Sequence, residues 1–143
     1  MVGAGLGSST VWVSAIIVGQ LAVALLMANN VRDIDGDRES GKRTLAVRMG
    51  RERAGRAFAV VLVEPFAIVV GWVALRLALD AHRDWRVLAL LLPLAALPLT
   101  ARSIRLLRSG AVGRDLLPTL AWSARTQMVA GVALAIGILV VRP

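Results

Sequence analysis

One short stretch of the sequence carries carboxylates and basic side chains at spacings that suit phosphate and metal chemistry. It occupies residues 29–44 and holds three aspartates at alternate positions, Asp33, Asp35 and Asp37. If the preceding apolar helix continues into it, Asn29, Asp33 and Asp37 fall one turn apart on one face. Mg²⁺ binds through one or two carboxylates together with phosphate oxygens and water. The stretch therefore predicts Asp33 and Asp37 as metal ligands, with Asp35 a weaker candidate because an i+2 residue faces away.

Basic residues follow the aspartates closely enough to bind the anion that such a metal would bridge. Arg38, Lys42 and Arg43 lie within six positions of the last aspartate. Their charges are suited to neutralising a phosphate or diphosphate group. Gly36 and Gly41 are predicted to let the backbone leave the helix and turn back to the membrane.

Three other interpretations of this stretch are weaker. If the stretch were only a solvated charged loop, its alternate aspartates would repel one another with no bound cation to offset the repulsion. A calcium loop of the EF-hand type matches at its first three ligand positions, but Arg38 and Thr44 stand where glycine and glutamate are required. An anchor for anionic lipids, formed by the arginines, is compatible with a metal site but leaves the aspartates unexplained.

Four apolar segments flank the polar stretch and must position it. The chain is 57% hydrophobic and 18% charged, with a mean hydropathy of +0.72 and no cysteine. The segments are residues 11–28, 57–75, 87–100 and 116–141, and all but the third are long enough or nearly so to span about 30 Å of hydrocarbon as a helix. The third is the shortest and is predicted to kink or to extend, because it contains Pro93 and Pro98. The sequence thus predicts an all-α integral membrane bundle of about four transmembrane helices, forming a single domain over residues 1–143 with a polar active-site loop at 29–56.

The distribution of positive charge predicts an orientation and excludes one class of partner. The net charge is +8, from 17 basic and 9 acidic residues. The basic residues lie between apolar runs without interleaved aromatic residues, and tyrosine is absent, so a nucleic-acid partner is not expected. Residues 29–56 and 101–117 hold twelve of the basic residues, whereas the opposite ends of the spans hold four. The positive-inside rule places the two richer loops in the cytoplasm of a cell whose inner (plasma) membrane holds the chain.

Two ionisable residues lie inside the apolar segments. An ionisable group within a membrane span is costly and is a functional candidate for that reason. Glu64 is interpreted either as an interhelical hydrogen-bonding residue or as a substrate-side residue. Arg125 is interpreted either as an anion-binding residue or as the partner of Glu64. Small residues in the last segment are predicted to mediate helix packing; they are Gly131, Ala133, Ala135 and Gly137.

The polar stretch resembles a known motif. Asn29, Asn30, Arg32, Asp33 and Asp37, followed by the run Gly-Lys-Arg-Thr-Leu-Ala-Val at positions 41–47, are similar to the second aspartate-rich motif of the UbiA-type membrane prenyltransferases. The ending of the run is similar to the branch that prenylates 1,4-dihydroxy-2-naphthoate in menaquinone synthesis. The pattern Leu-Pro-x-x-Ala at 117–121 and the small-residue-rich helix that follows resemble the last helix of the family.

This resemblance implies an activity and a set of roles. In such enzymes Mg²⁺ ions hold a polyprenyl diphosphate between two aspartate-rich motifs, and loss of diphosphate gives an allylic cation that an aromatic acceptor attacks. It implies that Asp33 and Asp37 are catalytic metal ligands. The diphosphate-binding residues implied with them are Asn29, Asn30, Arg38, Lys42 and Arg43, with Arg125 and Glu64 as further candidates.

The chain also departs from the family pattern. Members have nine helices and two aspartate-rich motifs, and only the second motif is present here. The chain resembles the C-terminal part of such an enzyme, beginning where the fifth helix would end, and a truncated gene, a split gene or an internal start would each produce it. A separate N-terminal half is therefore an expected partner, and the chain alone is expected to be inactive. Alternative interpretations are a non-catalytic membrane subunit, a lipid-binding scaffold, and a prenyltransferase of this type with a different aromatic acceptor.

Overall fold

The structure, a computed structural model, describes residues 3–79 and 84–141, with side chains from Ser9 onward. In these residues the secondary structure is helical, apart from short connecting turns and loops. No strand occurs in these residues. The α-helices are α1 (Gly3–Arg32), α2 (Ile34–Glu39), α3 (Leu45–Met49), α4 (Arg51–Leu79), α5 (Leu97–Arg108) and α6 (Leu117–Val141). Two 3₁₀ helices, Trp85–Ala96 and Gly113–Leu116, lead directly into α5 and α6.

Four helical segments are long and apolar enough to cross a membrane. Within the described residues they are Ser9–Arg32, Arg51–Leu79, Trp85–Arg108 and Gly113–Val141, of 24 to 29 residues each. Pro65 lies inside α4 without interrupting it. The predicted all-α architecture with four spans is confirmed, and each span is longer than its predicted apolar segment because the helices continue into flanking polar or charged residues.

The third span differs from the predicted one in length and in helix type. The sequence predicts a span over 87–100, whereas the structure begins it at Trp85 as a 12-residue 3₁₀ helix. A 3₁₀ helix has three residues per turn and rises about 2.0 Å per residue, so these residues cover about 24 Å. Every third residue then shares one face, and the buried residues follow this period: Val87, Leu90, Pro93 and Ala96. Pro98 occupies the first turn of α5, where its missing N–H leaves no hydrogen bond unmade.

The core lies where α1, α4, α6 and the long 3₁₀ helix meet. Phe58 and Leu62 of α4 are fully buried against Leu21 and Ala24 of α1 in one hydrophobic cluster. Helix α6 approaches the 3₁₀ helix closely at Gly137, where an added Cβ would lie 2.5 Å from the carbonyl oxygen of Ala89.

The small residues predicted to pack α6 therefore differ in role. Gly137 is buried at the interface with the 3₁₀ helix, as predicted. A Cβ at Gly131 would meet nothing within 4 Å, and Ala135 is exposed. Close packing of this helix thus depends on Gly137.

Buried hydroxyl groups join α5 to α6. The Oγ atoms of Ser103 and Ser123 lie 2.8 Å apart, and both lie within hydrogen-bond distance of the backbone carbonyl of Thr119, at 3.1 and 2.9 Å. Each hydroxyl has one proton, so one serine donates to the other and the second donates to this carbonyl. All three residues are at most 1% exposed. Hydrogen bonds between helices hold membrane bundles together where hydrophobic driving force is weak. They fix the start of α6, and with it the 3₁₀ turn Gly113–Leu116, relative to α5.

The polar loops at residues 33–50 and 109–112 lie at the same end of the bundle. Arg51 and Gly110 line one cavity, and Asp33 and Gly113 line another. At the opposite end, Arg76 of α4 donates a 3.0 Å hydrogen bond to the hydroxyl of Thr10 near the start of the first span. The spans therefore alternate in direction, as a membrane-crossing chain requires.

Cysteine labelling tests which end faces the cytoplasm. The chain has no native cysteine, so Ser40→Cys and Trp85→Cys each introduce a single thiol at an exposed position at opposite ends of the bundle. We expect an impermeant maleimide to label Cys at position 40 only from the cytoplasmic side and at position 85 only from the outside, because the loops near position 40 carry the excess of arginine. Labelling of both positions from the same side would contradict the four-span arrangement.

Candidate active site

The three aspartates lie on an almost continuous helical path from α1 into α2. Asp33 separates the two helices as a single turn residue, with φ −90° and ψ 4°. Its N–H donates to the carbonyl of Asn29 at 3.1 Å, and the N–H of Asp37 donates to the carbonyl of Asp33 at 2.8 Å. Asn29, Asp33 and Asp37 are thus one turn apart, as their spacing predicts. The prediction that Gly36 turns the chain is wrong, because Gly36 lies within α2.

The chain turns at Gly41, and this turn brings Lys42 back to Asp37. Gly41 has φ +74°, in the left-handed region that glycine adopts without strain. The N–H of Lys42 donates to the carbonyl of Asp37 at 2.8 Å and that of Gly41 to the carbonyl of Arg38 at 3.1 Å, which is the Schellman pattern of helix termination. As a result Lys42 Nζ lies 3.4 Å from Asp37 Oδ1. Local backbone geometry thereby places a cation beside the least exposed aspartate side chain of the three.

Arg32 orients Asp33. Its guanidinium donates from Nε to Oδ1 at 2.7 Å and from Nη2 to Oδ2 at 2.8 Å. These hydrogen bonds lower the pKa of the Asp33 carboxyl below its ordinary value, assisted by the charges of Arg32 and Lys42 and opposed by partial burial. Asp33 is therefore an ionised acceptor at neutral pH. A carboxylate has about four lone-pair sites, so two remain for a further ligand.

Asp35 has a different environment from its neighbours. Its Oδ2 lies 2.8 Å from Arg51 Nη2, and its Oδ1 lies 3.7 Å from Arg38 Nη1. Arg51 also donates from Nη1 to the carbonyl of Val31 at 3.1 Å. Arg51 is the first residue of α4, so these contacts tie the start of the second span to the end of the first. Asp35 is thus occupied in holding the loop together.

The aspartates and several cations surround one open cleft of about 560 Å³. Four of its lining residues are predicted site residues: Asp33, Asp35, Asp37 and Lys42. The cleft also contains Arg32, which belongs to the motif but was not predicted as a site residue, and Arg114, for which no role was predicted. Arg114 comes from the 3₁₀ turn that precedes α6, far away in sequence. Gly110 and Gly113 bend the chain before the last span, with φ +82° and +54°, but this bend does not by itself indicate that Arg114 enters the cleft.

The other predicted diphosphate-binding residues do not line this cleft. Asn29 is half-buried one turn before Asp33. Asn30 lines a small separate cavity against α3. Arg38 and Arg43 are exposed, and Arg38 contacts Asp35. Their binding roles stay predictions.

Glu64 and Arg125 are not paired with each other in the part of the chain that the structure describes. Glu64 is exposed on α4 and lines a groove between α4 and α5. Arg125 is exposed on α6, where its Cζ lies 4.6 Å from the ring centroid of Trp122; Arg102 of α5 contacts the same ring at 4.9 Å. These cation–π contacts stabilise two arginines within membrane spans. The interpretation of Arg125 as the partner of Glu64 is wrong, and an anion-binding role stays a prediction.

The donor set of the cleft fits Mg²⁺ rather than a metal that requires a closed protein cage. Among residues 3–79 and 84–141, no three acidic or histidine side chains converge on one point. Asp33 and Asp37 provide two carboxylates, one turn apart, beside Lys42. Mg²⁺ typically uses one or two carboxylates and completes its shell with substrate phosphates and water. Asp33 and Asp37 are therefore the residues of the cleft that could hold such an ion if phosphate oxygens and water completed its shell.

Comparison with known proteins adds relatives of one kind. The chain is 34% identical over 123 residues to a protein of Mycobacterium leprae, a match that spans 86% of this chain and 38% of the relative. It is 35% identical over 121 residues to one of Mycobacterium tuberculosis, spanning 85% and 38%, and 53% identical over 45 residues to one of Escherichia coli, spanning 32% and 15%. Each relative is named 1,4-dihydroxy-2-naphthoate octaprenyltransferase. The chain spans about 38% of the length of the mycobacterial relatives, and no solved structure matches it.

The family match covers most of the chain. It extends over residues 1–123 and includes every residue that lines the aspartate cleft. Together with the four apolar helices, it establishes the chain as a multi-pass membrane protein. The chain belongs to the UbiA prenyltransferase family.

Proposed function

We propose that this chain provides the diphosphate-binding cleft of an enzyme that transfers a polyprenyl group from its diphosphate to an aromatic acceptor. The observation that carries the proposal is the placement of Asp33, Asp37 and Lys42 around one cleft at the end of the membrane spans. A polyprenyl diphosphate has a charged head and a long apolar tail. Such a substrate is suited to a charged cleft that opens at the border of an apolar bundle.

The cations of the cleft explain how its residues favour loss of diphosphate. As the bond between the allylic carbon and oxygen breaks, negative charge accumulates on the departing diphosphate. Lys42, Arg32 and Arg114 supply positive charge in the cleft where that charge develops. Fixed charges that stabilise a developing anion are among the largest contributions to catalysis.

Asp33 and Asp37 are the residues that would hold Mg²⁺. The bound ion would neutralise diphosphate oxygens and assist their departure. Arg32 keeps the Asp33 carboxylate ionised and fixed in orientation. Lys42, placed by the turn at Gly41, contacts the Asp37 carboxylate at 3.4 Å.

The acceptor and the remaining machinery are inferred from the relatives. Their printed names support 1,4-dihydroxy-2-naphthoate as the acceptor, which makes a step of menaquinone synthesis the proposed role. The excess of basic residues in the loops near the cleft supports placing the cleft on the cytoplasmic side of the cell's inner membrane. Because the chain spans 38% of the length of these relatives, we propose that transfer also requires the part of the family fold that the chain does not span. A second aspartate-rich motif from that part would complete the diphosphate site.

A chimeric enzyme tests this proposal. This chain is to replace the matching segment of the Mycobacterium leprae relative, and the chimera is assayed in membranes with octaprenyl diphosphate and 1,4-dihydroxy-2-naphthoate. We expect Mg²⁺-dependent transfer, because the inserted chain supplies Asp33, Asp37 and Lys42 and the rest of the relative supplies the second motif. The 143-residue chain alone is expected to give no product, since one motif supplies only part of the ligands for a two-metal site.

Two results would contradict the proposal. A chimera that inserts into the membrane with its diphosphate affinity intact but transfers no prenyl group would favour the non-catalytic subunit. Turnover by the 143-residue chain alone would show that the second motif is dispensable. Transfer to another aromatic acid in place of the naphthoate would support the reaction and correct the acceptor.

A further inference from the structure

A second cavity system lies between α4 and α5 and is separate from the aspartate cleft. One cavity of about 520 Å³ lies between the end of α1, the start of α4 and the end of α5. An adjoining cavity of about 590 Å³ continues between α4 and α5 towards the middle of the spans. Arg56 and Arg108 line both cavities. We name the two together the α4/α5 groove.

The walls of the groove are apolar on the side of these arginines that faces the middle of the membrane spans. Val60 and Val63 of α4 and Ile104 and Leu107 of α5 line it, and all four lie within membrane spans. Val60 is 63% exposed, so its side chain faces whatever fills the groove. An added Cβ at Gly55 would lie 3.3 Å from Leu107 Cδ2, so a larger side chain at Gly55 would crowd the wall that Leu107 forms in the upper cavity.

The charges of the groove are concentrated at its loop end. In the described part of the chain, Arg108 has no carboxylate oxygen within ion-pair distance. Arg56 contacts Glu52 at 3.5 Å, but these side chains are 65% and 85% exposed, and such surface pairs hold their partners weakly. Glu64 lies eight residues beyond Arg56, or about 12 Å deeper along α4. Glu52 lines the same end, where Arg56 and Arg108 outnumber it, so an anionic group is attracted to this end and is repelled by Glu64 from the deeper part.

The groove and the aspartate cleft lie on different faces of the first span. Val31 lines the groove, and it is two residues, or about 200°, around the helix from both Asn29 and Asp33. Arg51 lies between the two sites and is held by the carbonyl of Val31 and the carboxylate of Asp35. A ligand in the groove is thus distinct from one bound at the aspartates.

We propose that the α4/α5 groove binds one anionic phospholipid of the surrounding leaflet. The headgroup phosphate contacts Arg56 and Arg108, and an acyl chain lies along Val60, Val63 and Ile104. Guanidinium groups bind phosphate through paired, charge-assisted hydrogen bonds. Basic pockets between transmembrane helices are a known setting for anionic headgroups. Since the groove reaches the start of α4, whose Arg51 anchors Asp35, the bound lipid also braces the loop that carries the aspartates.

Native mass spectrometry of the detergent-purified 143-residue chain tests this proposal. The probes are phosphatidylglycerol and phosphatidylcholine with identical acyl chains. We expect preferential retention of one phosphatidylglycerol. In the double variant Arg56→Gln, Arg108→Gln, retention of phosphatidylglycerol is expected to fall by roughly 30-fold, since two arginine contacts with an anionic headgroup are lost. Retention of phosphatidylcholine is expected to stay unchanged, which also reports on the integrity of the protein.

A matched variant controls for net charge. Arg53→Gln, Arg105→Gln removes the same charge from the same two helices at exposed positions outside the groove, and it is expected to retain phosphatidylglycerol like the unsubstituted chain. Gly55→Leu, which fills the upper cavity and keeps both arginines, is expected to lose the lipid. Equal losses in the two arginine double variants would overturn the proposal in favour of general charge attraction. Displacement of the lipid by farnesyl diphosphate or by inorganic phosphate at equal concentration would instead make the groove a substrate or free-phosphate site.

Discussion

Replacing both Asp33 and Asp37 by asparagine is expected to reduce prenyl transfer by the chimeric enzyme about 10³-fold or more. The substitution keeps the size of the side chains and removes both charges on which the proposed metal site depends. Losing preorganised electrostatic stabilisation at a single group already costs about 10²- to 10³-fold in many enzymes. Product formation at saturating Mg²⁺ measures the effect. Membrane insertion is expected to stay intact, because both residues lie outside the apolar spans.

Two single substitutions make this result specific. Glu39→Gln removes an exposed carboxylate from the same short helix, outside the cleft, and is expected to leave transfer unchanged. Asp35→Asn is expected to cost less than either change at Asp33 or Asp37, because Asp35 is bound to Arg51. Equal losses at all three aspartates would mean that the stretch wraps around the metal as an extended loop. Full activity of the Asp33, Asp37 double variant would exclude the metal site.

Gly137→Ala is expected to destabilise the bundle by about 2 kcal/mol, although alanine is the better helix former. The added Cβ would lie 2.5 Å from the carbonyl oxygen of Ala89 and 3.2 Å from Cα of Leu90. Both atoms belong to backbone, so the whole 3₁₀ helix must move away from α6. The melting temperature in detergent should fall by several degrees, as roughly 4 °C accompanies each kcal/mol in a chain of this size.

Gly131→Ala is the matched control. It makes the same chemical change on the same helix, six residues earlier, where a Cβ meets nothing within 4 Å. It is expected to be neutral or slightly stabilising, because only the gain in helix propensity remains. Equal melting temperatures for the two variants would show that α6 does not approach the 3₁₀ helix closely.

The elements that the sequence predicts well are those determined by local composition. The four spans follow from apolar runs long enough to cross a bilayer, and the one-turn spacing of Asn29, Asp33 and Asp37 follows from helix continuity. The turn at Gly41 was also predictable, because only glycine adopts its backbone conformation without strain. Gly36 stays helical, against the predicted turn, because a glycine in the middle of a helix costs only about 1 kcal/mol, which neighbouring contacts can offset.

The features that were not predicted depend on contacts between distant parts of the chain. Arg114 enters the cleft because the hydroxyl groups of Ser103 and Ser123 hold α5 against α6. Arg51 binds Asp35 because the start of α4 returns to the end of α1. Neither pairing has a local signal, since no spacing rule relates residues that meet only through tertiary packing.

The 3₁₀ helix Trp85–Ala96 limits how the length of this span can vary among relatives. Its buried series, Val87, Leu90, Pro93 and Ala96, recurs every third residue. Inserting or deleting three residues adds or removes one full 3₁₀ turn, so the buried face stays aligned while the length of the span changes by about 6 Å. Inserting four residues, which is close to a whole turn of an α-helix, would instead rotate the buried face by about 120°. We therefore expect length changes here to accumulate in triplets, so that homologous bundles can match bilayers of different thickness without losing contact with the last helix.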